Sequence, residues 1–363
     1  MSNTPSKNAR VHNFNAGPAV LPLEALEEIR EGFMGFGGMS ILEISHRGKE
    51  FKAVLDETTS LLRELMGIPE GWHVLFLQGG ASQQFAMVPM NLLDKTADYV
   101  NTGTWAKKAI SEAKLFGTPT TVYSSQETKF DRCPRPDEVK ATQGASYLHV
   151  TSNNTIEGTQ YRVFPTTGDV PLIADMSSDI LSYPIDVSKF GMIYAGAQKN
   201  VGPSGVTIVV IRDDLAKKSC REIPTIFRYS THVENTSLYN TPPVFSIYAT
   251  MFTLRWLKKQ GGVAAIQKHN EAKAKLIYDV LDASKFYKSP VERESRSLMN
   301  IVFTLPSDEL TERFVAGAKE QGMVGLKGHR SVGGIRASVY NAFPMEGAKA
   351  LAQFMKDFER TAS

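Results

Sequence analysis

The spacing of hydrophobic positions changes along this chain, and the changes divide it into elements. Over residues 50–66, Phe51, Val54, Leu55, Leu61, Leu62 and Leu65 recur near the helical period, which predicts a helix ending at Gly67. A shorter helix is predicted over 23–32, with Pro22 at its first turn. Before it, Phe14-Asn-Ala-Gly-Pro-Ala-Val-Leu-Pro22 is too rich in turn residues for regular structure. From Trp72 the pattern becomes short apolar runs alternating with helical segments. Residues 72–77, 97–100, 120–123, 146–150, 170–174, 192–195 and 206–211 read as strands, with helices running to Leu93 and Phe116. Short apolar strands alternating with helices predict a mostly parallel sheet covered on both faces. A long helical region, 245–281, is broken at Gly261-Gly262. Beyond it a strand (300–305), a helix (307–321), a strand (335–339) and a last helix (345–359) predict a second, smaller α/β unit. The expected division is a tail over 1–14, a large domain over 15–261 and a small C-terminal domain over 262–363.

Composition narrows the class. The chain has 363 residues, 42% hydrophobic and 22% charged, with a formal net charge of +3. That length suits one large and one smaller domain. Basic and acidic residues are interspersed, so there is no nucleic-acid footprint. No apolar run approaches the ~18 residues of a membrane-spanning helix. Residues 1–12 are polar, lack the apolar core of a signal peptide and are expected to be frayed. Two cysteines, Cys133 and Cys220, fit neither a disulfide framework nor a zinc spacing. A soluble cytoplasmic protein is the expectation.

The chemistry-bearing residues gather at the carboxyl ends of the predicted strands, where ligands bind in parallel α/β sheets. After Leu77 comes Gln78-Gly-Gly-Ala-Ser82. It is either an ordinary turn, with Ser82 capping the next helix, or an anion site of backbone N–H groups and a hydroxyl. After Val100, Trp105 offers an aromatic face, for local packing or for a flat ligand. Thr155 follows the strand ending at Val150. Asp175 ends another strand, where a buried carboxylate needs a partner: a helix cap, a local ion pair or a protonated ring nitrogen. Lys199 follows the strand ending at Ala195, in a loop bracketed by small residues. It is either solvated or partly desolvated, and desolvation makes an amine a usable nucleophile toward an aldehyde. Lysine, carboxylate, aromatic face and phosphate cup together match the needs of pyridoxal phosphate. The spaced glycines of a dinucleotide site and the glycine-lysine-serine run of nucleotide hydrolases are both missing.

Colinear stretches across nearly the whole chain carry a specific resemblance. They include Phe14-Asn-Ala-Gly-Pro-Ala19, Ile44-Ser-His-Arg-Gly48, Gly79-Gly-Ala-Ser82, Thr102-Gly-Thr-Trp105, Ser152-Asn-Asn-Thr-Ile-Glu-Gly-Thr159, Asp175-Met-Ser-Ser178, Ala195-Gly-Ala-Gln-Lys-Asn200, Tyr239-Asn-Thr-Pro-Pro243 and Gly334-Ile-Arg-Ala-Ser-Val-Tyr-Asn341. In these the chain resembles the phosphoserine aminotransferase family, class V aminotransferases with the fold-type I architecture. The resemblance implies a homodimer that binds pyridoxal phosphate and transfers an amino group between glutamate and 3-phosphohydroxypyruvate. It further implies a Schiff base with Lys199, which then shuttles the substrate proton. Trp105 would stack on the cofactor ring, Asp175 hold its nitrogen and Thr155 its phenolic oxygen. Ala81, Ser82 and Gln198 would bind the phosphate, joined by Asn240 and Thr241 from the other subunit. Arg336 would take the substrate α-carboxylate, and His46, Arg47, His329 and Arg330 its distal phosphate or carboxylate. Some family members carry Gly-Arg where this chain has Ala81-Ser82, so here amides and a hydroxyl replace a guanidinium. The alternative enzyme reading is another class V activity, such as alanine–glyoxylate transamination or cysteine desulfuration. Desulfuration needs a mobile cysteine near the substrate, and neither Cys133 nor Cys220 has a suitable context. A non-catalytic binding relative would have little use for the lysine, aspartate, tryptophan and arginine together.

Overall fold

The computed structural model describes residues 10–362. In chain order, β1 (His12–Asn13) is followed by α1 (Leu23–Gly35), α2 (Lys49–Met66), β2 (Trp72–Leu77), α3 (Gly80–Leu92), β3 (Thr96–Asn101), α4 (Thr104–Ala113) and β4 (Thr118–Ser124). Next come β5 (Leu148–Thr151), the short hairpin β6 (Asn153–Asn154) and β7 (Thr159–Gln160), β8 (Leu172–Asp175), β9 (Met192–Gly196) and β10 (Thr207–Arg212). The chain continues through α5 (Asp213–Ala216), α6 (Tyr229–Glu234), α7 (Val244–Lys259) and α8 (Gly262–Ala283). It ends with β11 (Asn300–Phe303), α9 (Asp308–Glu320), β12 (Met323–Val324), β13 (Ile335–Ser338) and α10 (Met345–Ala362).

Seven strands form the central sheet in the order β2-β10-β9-β8-β5-β3-β4. All pairs are parallel except those of β10, which runs antiparallel between β2 and β9. The central strands are buried on both sides because they are apolar at every position, as in Leu172-Ile-Ala of β8 and Met192-Ile-Tyr-Ala of β9. Alternate side chains then serve opposite faces. Ile193, Ala195, Ile208 and Val210 join the core under α2 and α7. Met192, Tyr194, Val209 and Ile211 join the core under α3 and α4. Each such fully buried aliphatic side chain contributes about 1.5–3 kcal/mol of transfer free energy. Edge strand β4 is largely polar, with Pro119 within it, which discourages pairing with a foreign strand. Because five neighbouring strands run in parallel, their carboxyl ends open on one edge of the sheet, and the loops after β5, β8 and β9 meet there.

A second core lies around β11, β13, α9 and α10. Helix α8 joins the two: Val263 and Ile266 pack into the large core, while Ala274, Ile277 and Leu281 pack into the small one. The expected tail over 1–14 differs from the structure in its last part. His12 and Asn13 pair in parallel with Met323 and Val324, and Phe14 is fully buried in the small core. A two-residue strand is too short to leave a periodicity in the sequence, and residues 1–9 lie outside the described ones. Among the described residues no helix is long and apolar enough to cross a membrane.

Candidate active site

Lys199 sits just beyond β9, where the chain turns back toward β10. Ala197 anchors that turn: its N–H donates to Val206, and its carbonyl accepts from Val201 and Gly202. Gly202 fits because a Cβ there would lie 2.3 Å from Thr250 Oγ1. From the other side the segment Asn15–Ala19 crosses the loop. Ala19 N–H donates to the Gln198 carbonyl at 2.9 Å. Gly17 has φ +141°, and a Cβ on it would meet Lys199 Cγ at 3.1 Å. Lys199 keeps some access to solvent. Even so, protein atoms crowd its amine, and burial lowers its pKa to about 8, against the opposing attraction of Asp175.

Asp175 is the last residue of β8, one strand from β9. Its Oδ1 accepts from Ser177 N at 2.9 Å and Ser177 Oγ at 2.7 Å. Ser177 Oγ in turn accepts from Gly196 N, tying the two strand ends together. Burial raises the Asp175 pKa, while the Ser177 bonds and Lys199 pull it back down. Neither a helix cap nor an ion pair within 4 Å engages Asp175 among the described residues, so the carboxylate faces the lysine across the strand ends. Behind it, Asp179 accepts from Gln160 Nε2, from Ser152 Oγ and from Tyr183 OH.

Trp105 lies in the first turn of α4, and its ring centroid is 5.3 Å from Lys199 Nζ. Its indole Nε1 donates to Thr155 Oγ1 at 2.9 Å. That bond fills one acceptor position of the hydroxyl and leaves its hydrogen free to donate elsewhere. The Thr155 carbonyl accepts from Arg336 Nη1 at 3.2 Å, which carries the small unit's β13 to the same cleft. Arg336 Nε is buried and has no partner among the described residues. His329 belongs to this region too: burial lowers its pKa, and the charges of Arg336 and Arg330 act in the same direction.

Helix α3 begins at Gly80, with Gly79 in the left-handed conformation at its N-cap and no side-chain cap. Ser82 is the third helical residue and does not cap the helix, because the left-handed glycine already turns the chain. The N–H groups of Ala81 and Ser82 lie in the first turn, where they lack intrahelical acceptors and favour an anion. The edge of the sheet therefore brings together Lys199, Asp175, Trp105, Thr155, Arg336, His329 and Arg330.

Four expected site residues lie elsewhere. Asn240 is half-buried and Thr241 exposed, beside Gln78 at the end of β2: Asn240 Nδ2 donates to Gln78 Oε1 at 3.2 Å, and Gln78 Nε2 donates to the Thr241 carbonyl at 3.1 Å. His46 and Arg47 line a separate cavity of about 520 Å³ with Lys52, Arg63 and His73. A larger groove, about 720 Å³, lies at the opposite ends of β8 and β9 around Phe164, Pro171 and Arg212, and holds none of these groups.

Glu157 was not singled out from the sequence, though it stands in the Ser152–Thr159 motif. It is buried, and its Oε1 accepts from Thr104 N and Oγ1, both at 2.8 Å. It thereby holds the first turn of α4 and so the position of Trp105. Its Oε2 is buried and has no partner among the described residues.

The family description for class-V aminotransferases matches residues 11–351. A phosphoserine aminotransferase from Lysinibacillus sphaericus is 54% identical over 356 residues, covering 97% of this chain and 98% of the relative. The solved phosphoserine aminotransferase from Bacillus circulans subsp. alkalophilus superposes with a TM-score of 0.96 at 53% identity, covering 98% of this chain and 99% of that one. A pyridoxal-phosphate-bound phosphoserine aminotransferase from Trichomonas vaginalis superposes with a TM-score of 0.91 at 39% identity, covering 96% and 100%. This chain therefore belongs to the class-V aminotransferases and, within them, to the phosphoserine aminotransferase family.

Proposed function

We propose that the protein transfers the amino group of L-glutamate to 3-phosphohydroxypyruvate, giving O-phospho-L-serine and 2-oxoglutarate, with pyridoxal phosphate as cofactor. 4-Phosphooxy-threonine carries the same α-carboxylate and phosphate and is the second donor proposed. The observation that carries the reading is Lys199 beneath the Trp105 ring, with Asp175 at the neighbouring strand end.

The residues present fit the cofactor. A buried carboxylate with one oxygen engaged by Ser177 suits a protonated ring nitrogen. Trp105 offers a ring face, Thr155 a hydroxyl hydrogen, and Ala81 and Ser82 the free N–H groups of a helix start for a phosphate. Gln198 lies beside Lys199 to complete the phosphate cup. Pyridoxal phosphate supplies an electron sink for the pair released when the substrate α-C–H bond breaks. The chain's own residues do the rest. Lys199, with its pKa near 8, is neutral often enough at physiological pH to act as nucleophile and then as the base that moves the α-proton. Arg336 presents a buried, unpaired Nε, and a guanidinium edge suits the α-carboxylate shared by both donors.

His329 and Arg330 from one side would hold the distal phosphate or carboxylate. His46 and Arg47 do so only if a second copy brings them to the cleft, and Asn240 and Thr241 likewise reach a cofactor phosphate only across an interface. A homodimer is therefore part of the proposal. The exposed Phe33, Met34, Met39 and Leu42, close in sequence to His46 and Arg47, supply apolar surface for that contact. Both cysteines are free thiols, which supports a cytoplasmic enzyme.

Adding phosphoserine or glutamate to the loaded enzyme should shift its visible absorption. A Lys199→Ala protein with full turnover would refute the reading.

A further inference from the structure

The small unit carries Arg336, the large unit carries Lys199, and a substrate must span both. Beside the cleft the two units meet through buried polar side chains. Asn200, the residue after Lys199, accepts from the Asn341 backbone N–H at 2.9 Å through its Oδ1. Its Nδ2 donates to the Ile180 carbonyl at 2.6 Å. The Asn341 Nδ2 donates to the Leu181 carbonyl at 2.9 Å, and its Oδ1 accepts from Asn270 Nδ2 at 2.8 Å. Asn341 lies a few residues beyond Arg336 on the same extended segment. Lysine loop and arginine strand are thus joined through two asparagine side chains.

Lys273, fully buried one turn after Asn270 on α8, completes the arrangement. Its Nζ donates to the carbonyls of Val339 at 3.0 Å, Tyr340 at 2.5 Å and Asn341 at 3.4 Å. All three partners are carbonyls of the segment that follows β13. Burial pushes the Lys273 pKa well down, and a neutral amine, with two N–H donors, still serves the two shorter bonds, to Val339 and Tyr340. Burying an amine is costly even when it is hydrogen-bonded, and an apolar side chain would serve packing at lower cost. What the amine adds is direction: carbonyls of one segment are aimed at one point, which an apolar contact would not do.

We propose that Lys273 and Asn341 are positioning residues that set the placement of Arg336 relative to Lys199, and hence the capture of the substrate α-carboxylate. This rests on the reading of Arg336 as the carboxylate site. The shared α-carboxylate makes the effect common to every donor, while the distal pocket is left alone. A misplacement of about 1 Å at such a site can cost about 10²-fold in kcat/KM, and for a residue that captures the carboxylate the loss falls mainly on binding.

The test uses the cofactor-loaded enzyme. Asn341→Ala removes both side-chain bonds of Asn341, and Lys273→Met removes the amine at similar length. Each variant is titrated with glutamate and with phosphoserine, following the visible absorption in a single half-reaction, alongside thermal unfolding. The half-saturating concentration should rise roughly tenfold or more, by the same factor for both donors, with a smaller change in the limiting rate. Lys273→Gln, which keeps two N–H donors on a shorter side chain, should recover part of the loss. A lower unfolding temperature with half-saturation within about twofold of the unmodified enzyme for both donors would overturn the inference and leave a purely structural seam. Should Lys273→Met fail to fold, Asn341→Ser gives the same readout from a milder change. Arg336→Lys, run in parallel, tests the underlying reading. If it leaves glutamate half-saturation unchanged, the carboxylate assignment fails whatever the seam variants do.

Discussion

The chain contains the dipeptide His-Arg twice, and the two copies have different surroundings. His329-Arg330 lies in the field of Arg336, on the side of the cleft that also holds Lys199 and Trp105. His46-Arg47 lines a cavity with Lys52, Arg63 and His73, away from that lysine. Both pairs can bind an anion, but only one stands in its own chain's cleft. A motif's chemistry is local, whereas under the proposed homodimer the target of His46-Arg47 would be set by assembly.

The largest expected effect removes the chemistry against which both copies are compared. Lys199→Ala should lower turnover by at least about 10³-fold, as loss of a nucleophile and proton carrier does, and steady-state rates check it.

Mixing impaired variants separates the roles of the two copies. Arg47→Ala alone should lower kcat/KM for phosphoserine by roughly 10–100-fold, the cost of losing a charge-assisted contact, and should spare an uncharged donor such as alanine. Refolding Lys199→Ala together with Arg47→Ala should restore activity toward about a quarter of the unmodified level. Half of the random dimers are mixed, and each mixed dimer holds one complete site. Lys199→Ala mixed with Arg330→Ala should restore none, because both losses fall on own-chain functions. Equal behaviour of the two mixtures would remove the distinction between the copies.

A smaller effect concerns pH. The Lys199 pKa is lowered to about 8, and only the neutral amine attacks an aldehyde. The rate at which apoenzyme takes up pyridoxal phosphate should therefore rise with pH, bend near 8 and level off above it. Stopped-flow absorbance measures this, and a bend near the ordinary lysine value would contradict it. The smallest effect is expected from Trp105→Phe, which keeps a ring but loses the bond to Thr155. Cofactor affinity should fall several-fold, in keeping with a hydrogen bond worth about 1 kcal/mol, as measured by equilibrium titration.

Much of this architecture is legible in one dimension. Apolar runs such as Leu172-Ile-Ala and Met192-Ile-Tyr-Ala, short and set between turn residues, read as buried strands, and their polar successors, Asp175 and Lys199, then fall at one sheet edge. The antiparallel course of β10 left no mark, since a strand buried on both faces is apolar in either direction. Nor did β1, β6, β7 and β12, each two residues long, which exist because neighbouring backbone offers partners. Ser82 looked like a helix cap because serine often is one; the left-handed Gly79 beside it does that work instead. Glu157 and Lys273 are invisible in the pattern for a similar reason. Their importance lies in what they touch, Thr104 in one case and three carbonyls in the other.

The strand positions, the family and the strand-end residues are legible in the chain taken in order, because side-chain periodicity and burial follow it. Which of those residues share a cleft is fixed only in the folded molecule. Folding set Lys199 under Trp105, turned Arg336 toward Thr155 and left His46 and Arg47 in a cavity of their own. Those outcomes depend on contacts between residues far apart in the chain, and no local preference encodes them.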